Sequence, residues 1–335
     1  MRPRAPLSRR TRALRYLVGA ILGAAALYAC FARIEWPQFM ASFQTARASW
    51  VAAAVLSVLV TLALVTVRWA LLLDARGSPR SWRALWHAVV VGQAVNIVFP
   101  LRFGEGARLA FTSRELGLPA GRVMVGLALE RTFDVAMFAA AVLLLIVAGW
   151  IPGTGVGFMR RLAILAITSM VAVACVVWLL PAAAIAIRRR FGLESPIGRW
   201  IEAQVVSIRT GWAVARRPRL LVATGLLTAM IAAAAAATNL LIFRAFDLQL
   251  PLLAPLALLV VLQLGTAVVS VPGNVGVFHY LTVVTLGALH VPRSTALAAA
   301  VVLHAVSLGP KVALGTLTLA ATPLRQRPVP PDPDA

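Results

Sequence analysis

The chain has few acidic residues, almost no lysine and few residues of the types that carry soluble catalytic chemistry. It contains eleven Asp and Glu residues against 32 Lys and Arg residues, and it has two cysteines and four histidines. It also lacks Walker-A, GxSxG and HExxH patterns and any set of ligands at zinc spacing. These absences argue against ATP hydrolysis, common hydrolase sites and a structural metal. We therefore expect no enzyme activity and no cofactor.

Apolar residues dominate what is present. They make up 61% of the chain, and the mean hydropathy is +0.87. They fall in runs of about 20 residues, long enough to cross a hydrocarbon core of ~30 Å as helices. A transmembrane β-barrel would instead show alternating segments of ~10 residues. The sequence predicts an all-α, polytopic membrane helix bundle, which we place in a bacterial inner membrane.

The arginines lie mostly at the ends of the apolar runs. A net charge of +21 would suggest nucleic-acid binding in a soluble protein. Here membrane topology and contact with anionic head groups explain it better, so no nucleic-acid partner is expected. Residues 1–15 hold six Arg, and residues 183–219 hold eight Arg against two Glu. Both segments, and with them both termini, are predicted to be cytoplasmic.

The apolar runs divide the chain into a basic N-terminal segment (1–12), one membrane domain (13–321) and a disordered tail (322–335). Six full spans are predicted, near residues 13–32, 49–73, 121–149, 162–182, 220–243 and 295–321. Two more apolar stretches, 82–117 and 252–291, are interrupted by the helix breakers Pro100, Gly104, Pro272, Gly273 and Gly276. Irregular backbone at membrane depth is tolerated only inside protein or beside a wet cavity, so both hairpins are candidate sites. Each hairpin could be re-entrant or could cross twice.

The two halves of the membrane domain match each other weakly. Pro100 and Gly104 correspond to Pro272 and Gly276 at an offset of 172 residues, and Pro119 corresponds to Pro292 at 173. Each half has the order span, broken hairpin, span, over residues 49–149 and 220–321. The predicted orientation makes the hairpins enter from opposite sides. This is an inverted-topology repeat, as in many secondary transporters.

The segment "VGLALERTFDVAMFAAAVLLL" is a predicted membrane helix that carries Glu130, Arg131 and Asp134. Glu130 and Asp134 share a helix face, and Asp134 lies roughly 16 Å from the helix start, near the bilayer midplane. A charge there costs roughly 2.5–3.5 kcal/mol, so these residues should face the bundle interior. They form either a structural ion pair, such as Arg131 with Asp134 or Glu105, or a polar head-group path.

The break "FPLRFGEGARLAF" adds Arg102, Glu105 and Arg108. A helix starting there could bind a phosphate through its N-terminus and Arg108, or the segment could be an interfacial loop with snorkelling arginines. Arg68, beside Trp69, fits an interfacial anchor or, less well, a head-group contact. In the second half the polar candidates are Asn274, His279, His304 and Lys311. Lys311 could balance Glu130 or Asp134, or snorkel to an interface.

These motifs resemble the flippase-like membrane domain of lysylphosphatidylglycerol synthases, the multiple peptide resistance factors. The similar segments are "RW" at 68–69, "NIVFPLRFGEGARL" at 96–109, "ERTFD" at 130–134 and "VPGNVGVF" at 271–278. The pattern P-x3-GE-x2-R followed by ER-x2-D is moderately specific. Asn274, His279 and His304 depart from the family pattern, and all three belong to the polar positions of the second half. The chain ends at residue 335 without an aminoacyl-transferase domain, so we expect a stand-alone member.

The resemblance implies movement of an anionic, zwitterionic or aminoacylated phospholipid, or a related envelope lipid, between leaflets. It implies that Glu105, Arg108, Glu130 and Arg131 belong to the lipid path, and we add Asp134 from its place on the same helix. In this hypothesis Arg108 and Arg131 hold the phosphate, and the carboxylates hold cationic groups or protons. The alternative is a non-transporting partner of an envelope lipid or glycan synthase, docked through the basic arm 183–219.

Overall fold

The computed structural model describes residues 21–150 and 217–321, except residues 22, 33, 76, 100–102 and 269–270. Within these ranges the chain is helical and contains no β-strand. Residues 23–31 are helical, followed by α1 (Trp36–Thr45), α2 (Ala48–Leu72), α3 (Pro79–Val98), α4 (Phe103–Leu116), α5 (Ala120–Val147), α6 (Pro218–Ala245), α7 (Ala254–Val268), a 3-10 turn (Pro272–Asn274), α8 (Val277–Gly287) and α9 (Arg293–Ala321). Several predicted segments lie outside the described residues. They are residues 1–12, the span 162–182, the basic arm 183–219 up to residue 216, and residues 322–335.

Three of these helices are long and apolar enough to cross a membrane. They are α2, α6 and α9, with 25, 28 and 29 residues. Helix α5 is equally long, with 28 residues, but it carries Arg122, Glu130, Arg131 and Asp134. The predicted all-α membrane bundle is therefore confirmed.

Helix α1 is an element that run length alone does not predict, because it has only ten residues. Its aromatic side chains cluster with Phe31: the Phe39 and Phe43 rings lie 5.0 Å apart, and Trp36 stacks on Phe31 at 6.0 Å. Ser42 also donates a hydrogen bond to the Thr295 hydroxyl on α9. A short amphipathic helix thus connects the first apolar segment to the start of α2.

Each broken hairpin returns to the end of the bundle where it started. At the first hairpin, Arg122 on α5 donates a hydrogen bond of 2.6 Å to the carbonyl of Leu73, just after α2. At the second, Arg47 donates its backbone N–H to the Ala245 carbonyl at the end of α6, and nearby Ser42 contacts Thr295 at the start of α9. Helices α4, α7 and α8 have 14, 15 and 11 residues, fewer than the ~20 needed to span a membrane. These lengths agree with the re-entrant alternative for the second hairpin and for the α4 arm of the first, whereas α3 has 20 residues.

The contacts between helices pair up when the two halves are exchanged. Helices α2 and α6 pack side by side and run antiparallel, because Arg47 before α2 pairs with Asp247 after α6, and Arg217 before α6 pairs with Asp74 after α2. Both aspartates adopt left-handed backbone, with φ of 49° and 54°. Helix α9 packs on α3, and α5 packs on α7 in the matching way. These contacts agree with the predicted inverted repeat.

Two of the predicted break positions are points where backbones touch. A Cβ atom on Gly104 would lie 2.0 Å from the carbonyl oxygen of Gly92 on α3. A Cβ atom on Gly276 would lie 2.1 Å from the carbonyl oxygen of Gly23. The two arms of the first hairpin can therefore approach each other this closely only because Gly104 has no side chain, and the second hairpin can approach residues 23–31 only because Gly276 has none.

We expect Gly104→Ala to lower the free energy of unfolding by about 1–3 kcal/mol, because an overpacked contact must move backbone apart. Gly106→Ala is the matched control on the same helix, since a Cβ there meets nothing within 4 Å. Thermal unfolding in detergent would measure both variants. Equal midpoints for the two variants would contradict the close packing at Gly92.

Candidate functional site

Six ionisable side chains from three helices meet inside the bundle and form what we call the ionic network. Helix α2 supplies Arg68, α4 supplies Glu105 and Arg108, and α5 supplies Glu130, Arg131 and Asp134. The five primary residues predicted from the sequence are thus brought together, and Arg68 joins them. The Gly92–Gly104 contact sets the approach of α3 to α4, and Arg108 follows Gly104 by one helical turn.

The buried part of the network centres on Glu130. Arg108 contacts it in a bidentate arrangement, with Nη1–Oε1 and Nη2–Oε2 distances of 2.9 Å each. Arg68 Nη2 lies 3.2 Å from Glu130 Oε1. The Arg108 guanidinium also lies 3.9 Å from the centre of the Trp69 ring, which favours its charge through a cation–π interaction. Trp69 in turn donates a hydrogen bond to Thr112 on α4.

The other part of the network is more open. Arg68 Nη1 lies 2.6 Å from Asp134 Oδ1, and Arg131 lies 3.2 Å from Asp134 Oδ2 and 2.7 Å from Glu105 Oε1. The side chains of Glu105, Arg131 and Asp134 are about 30% exposed, whereas those of Arg68 and Glu130 are under 5% exposed. The network therefore has a buried end at Arg68 and Glu130 and a partly exposed end at Glu105, Arg131 and Asp134.

The network carries no net charge, because three guanidinium groups face three carboxylates. Every carboxylate contacts at least one guanidinium, so the burial of its charge is compensated. The hydrogen-bonding capacity is not used up. The Nε–H groups of Arg68, Arg108 and Arg131 are buried and have no acceptor among the described residues. Thr228 on α6 accepts a hydrogen bond of 2.9 Å from Arg68 and connects the second half to the network.

Two interpretations of single arginines were wrong. Arg68 is not an interfacial anchor: its side chain is buried and held by Glu130 and Asp134. The guanidinium fork of Arg108 does not face an open phosphate site, because the carboxylate of Glu130 occupies it. Sequence spacing reveals neither fact, since both contacts join different helices.

The helix start after the first break also differs from the predicted anion site. The N–H group of Gly104 donates to the side-chain oxygen of Asn96 at 2.8 Å, and Glu105 lies in the first turn of α4. The protein's own polar groups thus serve this helix end. Pro100 and Arg102 lie outside the described residues. Asn96 was not a predicted site residue, although an amide just before a helix break was a signal for a cap.

The candidates of the second half form a separate group. His279 and His304 lie with ring centres 4.7 Å apart, and His304 Nε2 lies 2.7 Å from the Gly273 carbonyl oxygen in the 3-10 turn. Asn274 ends that turn with a left-handed φ of 54°. Lys311 contacts no carboxylate of the network, so the predicted charge balance with Glu130 or Asp134 was wrong.

Some contacts of the site gave no usable signal in the sequence. Thr228 and Thr112 are threonines in helical segments, and only the fold shows that they touch Arg68 and Trp69. In the described part of the chain, no group of three or more His, Cys, Asp or Glu side chains could hold a metal ion.

Residues 14–315 match the family described as the lysylphosphatidylglycerol synthase TM region. The chain belongs to this family. The match covers both hairpins and the ionic network, and it agrees with the resemblance seen in the motifs. A membrane location follows from the family together with the long apolar helices. No curated protein matches the chain significantly.

Because one end of the network is buried and the other is partly exposed, we expect substitutions at the buried end to lower the free energy of unfolding more than substitutions at the exposed end. Arg68→Ala should lower the free energy of unfolding by about 3–5 kcal/mol, because it leaves Glu130 and Asp134 short of a buried partner. Arg131→Ala should cost about 1 kcal/mol or less, since its contacts are partly solvated. Thermal unfolding in detergent would compare the two, with exposed Arg219→Ala as the control. Equal losses for Arg68→Ala and Arg131→Ala would contradict this expectation.

Proposed function

We propose that this protein moves a phospholipid, or a related envelope lipid with a charged head group, between membrane leaflets. The ionic network is the observation that supports this proposal, because it sets charges of both signs in a membrane bundle and leaves one end half-exposed. Ionisable residues inside membrane spans usually mark a substrate or ion path. The family membership supports a role in lipid chemistry or lipid movement.

The exposed end of the network offers partners for both charges of a head group. In the proposed binding mode, a lipid phosphate accepts hydrogen bonds from Arg131, and a cationic head-group amine contacts Asp134 and Glu105. The head group thereby replaces the contacts among these three side chains. The contacts of Arg108 and Arg68 with Glu130 stay fixed, because they are buried and bidentate at Arg108.

Charge balance favours particular lipids in this mechanism. The network is neutral, so a head group with both a phosphate and an amine can enter without leaving a net charge in the bundle. Zwitterionic phospholipids, and aminoacylated phospholipids with a single amine, meet this condition better than simple anionic phospholipids. The acyl chains would remain in the surrounding lipid, since α2, α6 and α9 expose apolar side chains such as Leu56, Leu226 and Leu317.

Lipid translocation would be tested with purified protein in liposomes that contain fluorescent phospholipids, bleached from outside with dithionite. Arg131→Ala and Asp134→Asn should each lower the rate of translocation about tenfold or more, because a charged hydrogen bond contributes ~1.5–3 kcal/mol. Arg219→Ala, on an exposed side chain at the start of α6, should keep the wild-type rate. Wild-type protein that matches empty liposomes with neutral, anionic and aminoacylated lipids would refute passive translocation of those lipids.

A second candidate function is a non-transporting partner of an envelope lipid or glycan synthase. The internal compensation of all six charges favours it, because a purely structural network would show the same contacts. The two functions differ in how they respond to Arg131→Ala in cells. A partner would tolerate this variant and would instead lose function when the basic arm 183–219 is neutralised.

A further inference from the structure

The second hairpin contains a buried pair of titratable groups that the proposed head-group site does not use. His279 on α8 and His304 on α9 form this histidine pair, with ring centres 4.7 Å apart and planes inclined by 49°. His279 is only 7% exposed, and its Nδ1 atom has no hydrogen-bond partner among the described residues. A buried imidazole nitrogen without a partner is costly, so its retention calls for an explanation.

One member of the pair holds the hairpin tip. His304 Nε2 lies 2.7 Å from the carbonyl oxygen of Gly273, which can only accept a hydrogen bond, so Nε2 must carry the hydrogen. Gly273 and Asn274 both have left-handed backbone, with φ of 62° and 54°. The 3-10 turn that contains them packs against α3 of the first hairpin. His304 therefore ties α9 to the point where the two hairpins meet.

In the first half, an arginine and not a histidine joins the corresponding helix to its hairpin. Arg131 and His304 are 173 residues apart, the offset that also relates Pro119 to Pro292. Arg131 ties α5 to its own hairpin through Glu105, with a distance of 2.7 Å. An arginine keeps its positive charge at all physiological pH values, whereas an imidazole gains and loses its charge near neutrality. The second half thus has a titratable contact where the first half has a permanent one.

The described elements around the pair carry cations and phenols but no carboxylate. Lys311 follows His304 by seven residues, on the same helix face and about 10 Å away. Arg293 opens α9 and donates to the Ala29 carbonyl. Residues 23–31 carry Tyr28 and Cys30, and α8 carries Tyr280. Helix α7 has no ionisable residue, and α3 has them only in its first three turns, at Arg80, Arg83 and His87.

The ionic network is poorly suited to carry a proton. Each of its carboxylates contacts a guanidinium, so protonation would leave an arginine charge without its partner in the bundle. Of the elements that the structure describes around the histidine pair, none carries a carboxylate that would fix a bound proton there. The histidine pair, which contacts no carboxylate and no guanidinium among the described residues, is therefore better suited to reversible protonation than the ionic network.

We propose that the histidine pair binds one proton and couples its uptake and release to the position of the second hairpin. This inference depends on the proposed lipid translocation for its role in transport. The neutral His304 ring accepts the proton at Nδ1 from water on one side of the membrane, and it returns the proton to water on the other side. Two imidazolium ions at 4.7 Å would repel each other, so the pair takes one proton and not two.

Protonation strengthens the contact between α9 and the hairpin tip. An imidazolium donates a charge-assisted hydrogen bond to the Gly273 carbonyl, and such bonds are roughly twice as strong as neutral ones. The protonated pair therefore holds the tip against α9, and loss of the proton loosens it. His304→Arg supplies the permanent cation found at Arg131, and His304→Gln supplies a neutral donor.

The test measures proton binding and lipid movement separately, with the full chain in lipid bilayers. Nitrogen-15 NMR of labelled histidines over about pH 4–9 follows the four imidazoles. In wild type we expect the His279 and His304 signals to shift together, and His304→Gln to abolish the joint shift.

In liposomes under a proton gradient, the lipid distribution should shift by up to about tenfold per pH unit if one proton accompanies one lipid. His304→Arg and His304→Gln should remove this shift, and His87→Gln should retain it.

Each remaining outcome has a definite meaning. Imidazoles that stay neutral across the range would overturn the proposal and make the pair a packed core element. Translocation that ignores the gradient in wild type would overturn the coupling and leave the proposed function intact. If no lipid moves, maleimide labelling of Val275→Cys at the tip, with Cys30 and Cys175 replaced by Ala, decides between the claims. The labelling rate is compared with that of the same cysteine in His304→Arg at each pH, which removes the intrinsic effect of thiol ionisation. A ratio of the two rates that changes with pH supports the proton-dependent contact although lipid translocation has failed, and a constant ratio overturns it.

Discussion

The contact of Arg68 with Glu130 and Asp134 is the interaction on which the arrangement of the first half depends. It joins α2 to two successive turns of α5, and Glu130 passes the connection to Arg108 on α4. Inside a membrane bundle none of these charges can be left alone, because an isolated buried ion costs several kcal/mol. The positions of three helices are therefore constrained by one requirement, that each charge meets its opposite.

The same constraint gives the site two different ends, one buried and one partly exposed. At the buried end Trp69 covers Arg108, and Glu130 satisfies two arginines at once. At the partly exposed end the Arg131 guanidinium contacts the carboxylates of both Glu105 and Asp134. The second half has no such network in its described residues, and at the related place it has a contact between the His304 imidazole and a turn carbonyl. The two halves thus share a path of the backbone and differ in electrostatics.

Apolar run length and helix breakers were enough to predict most of the described helices. Helix α2 was expected near 49–73 and spans Ala48–Leu72, and α9 was expected near 295–321 and spans Arg293–Ala321. The contact of Arg131 with Asp134 was predictable from helix spacing, and the cost of buried charge made Glu105 a further candidate partner. The partners of Arg68 and Lys311 were not predictable, because contacts between distant helices depend on rotation about each helix axis. Helix α1 was missed because ten residues do not form a membrane-length run.

The placement of the six charges also bears on how the chain assembles as it is made. All six lie between residues 68 and 134, whereas Thr228, the contact from the second half, is 160 residues beyond Arg68. Thr228 also lies 94 residues beyond Asp134, the last of the six charges, and at about 5–20 residues per second a ribosome needs roughly 5–20 s to add these residues. During that interval the early helices can neutralise their own charges in the bilayer. The later half then docks along α2 onto a surface that is already electrically neutral, and it adds a hydroxyl where it meets Arg68.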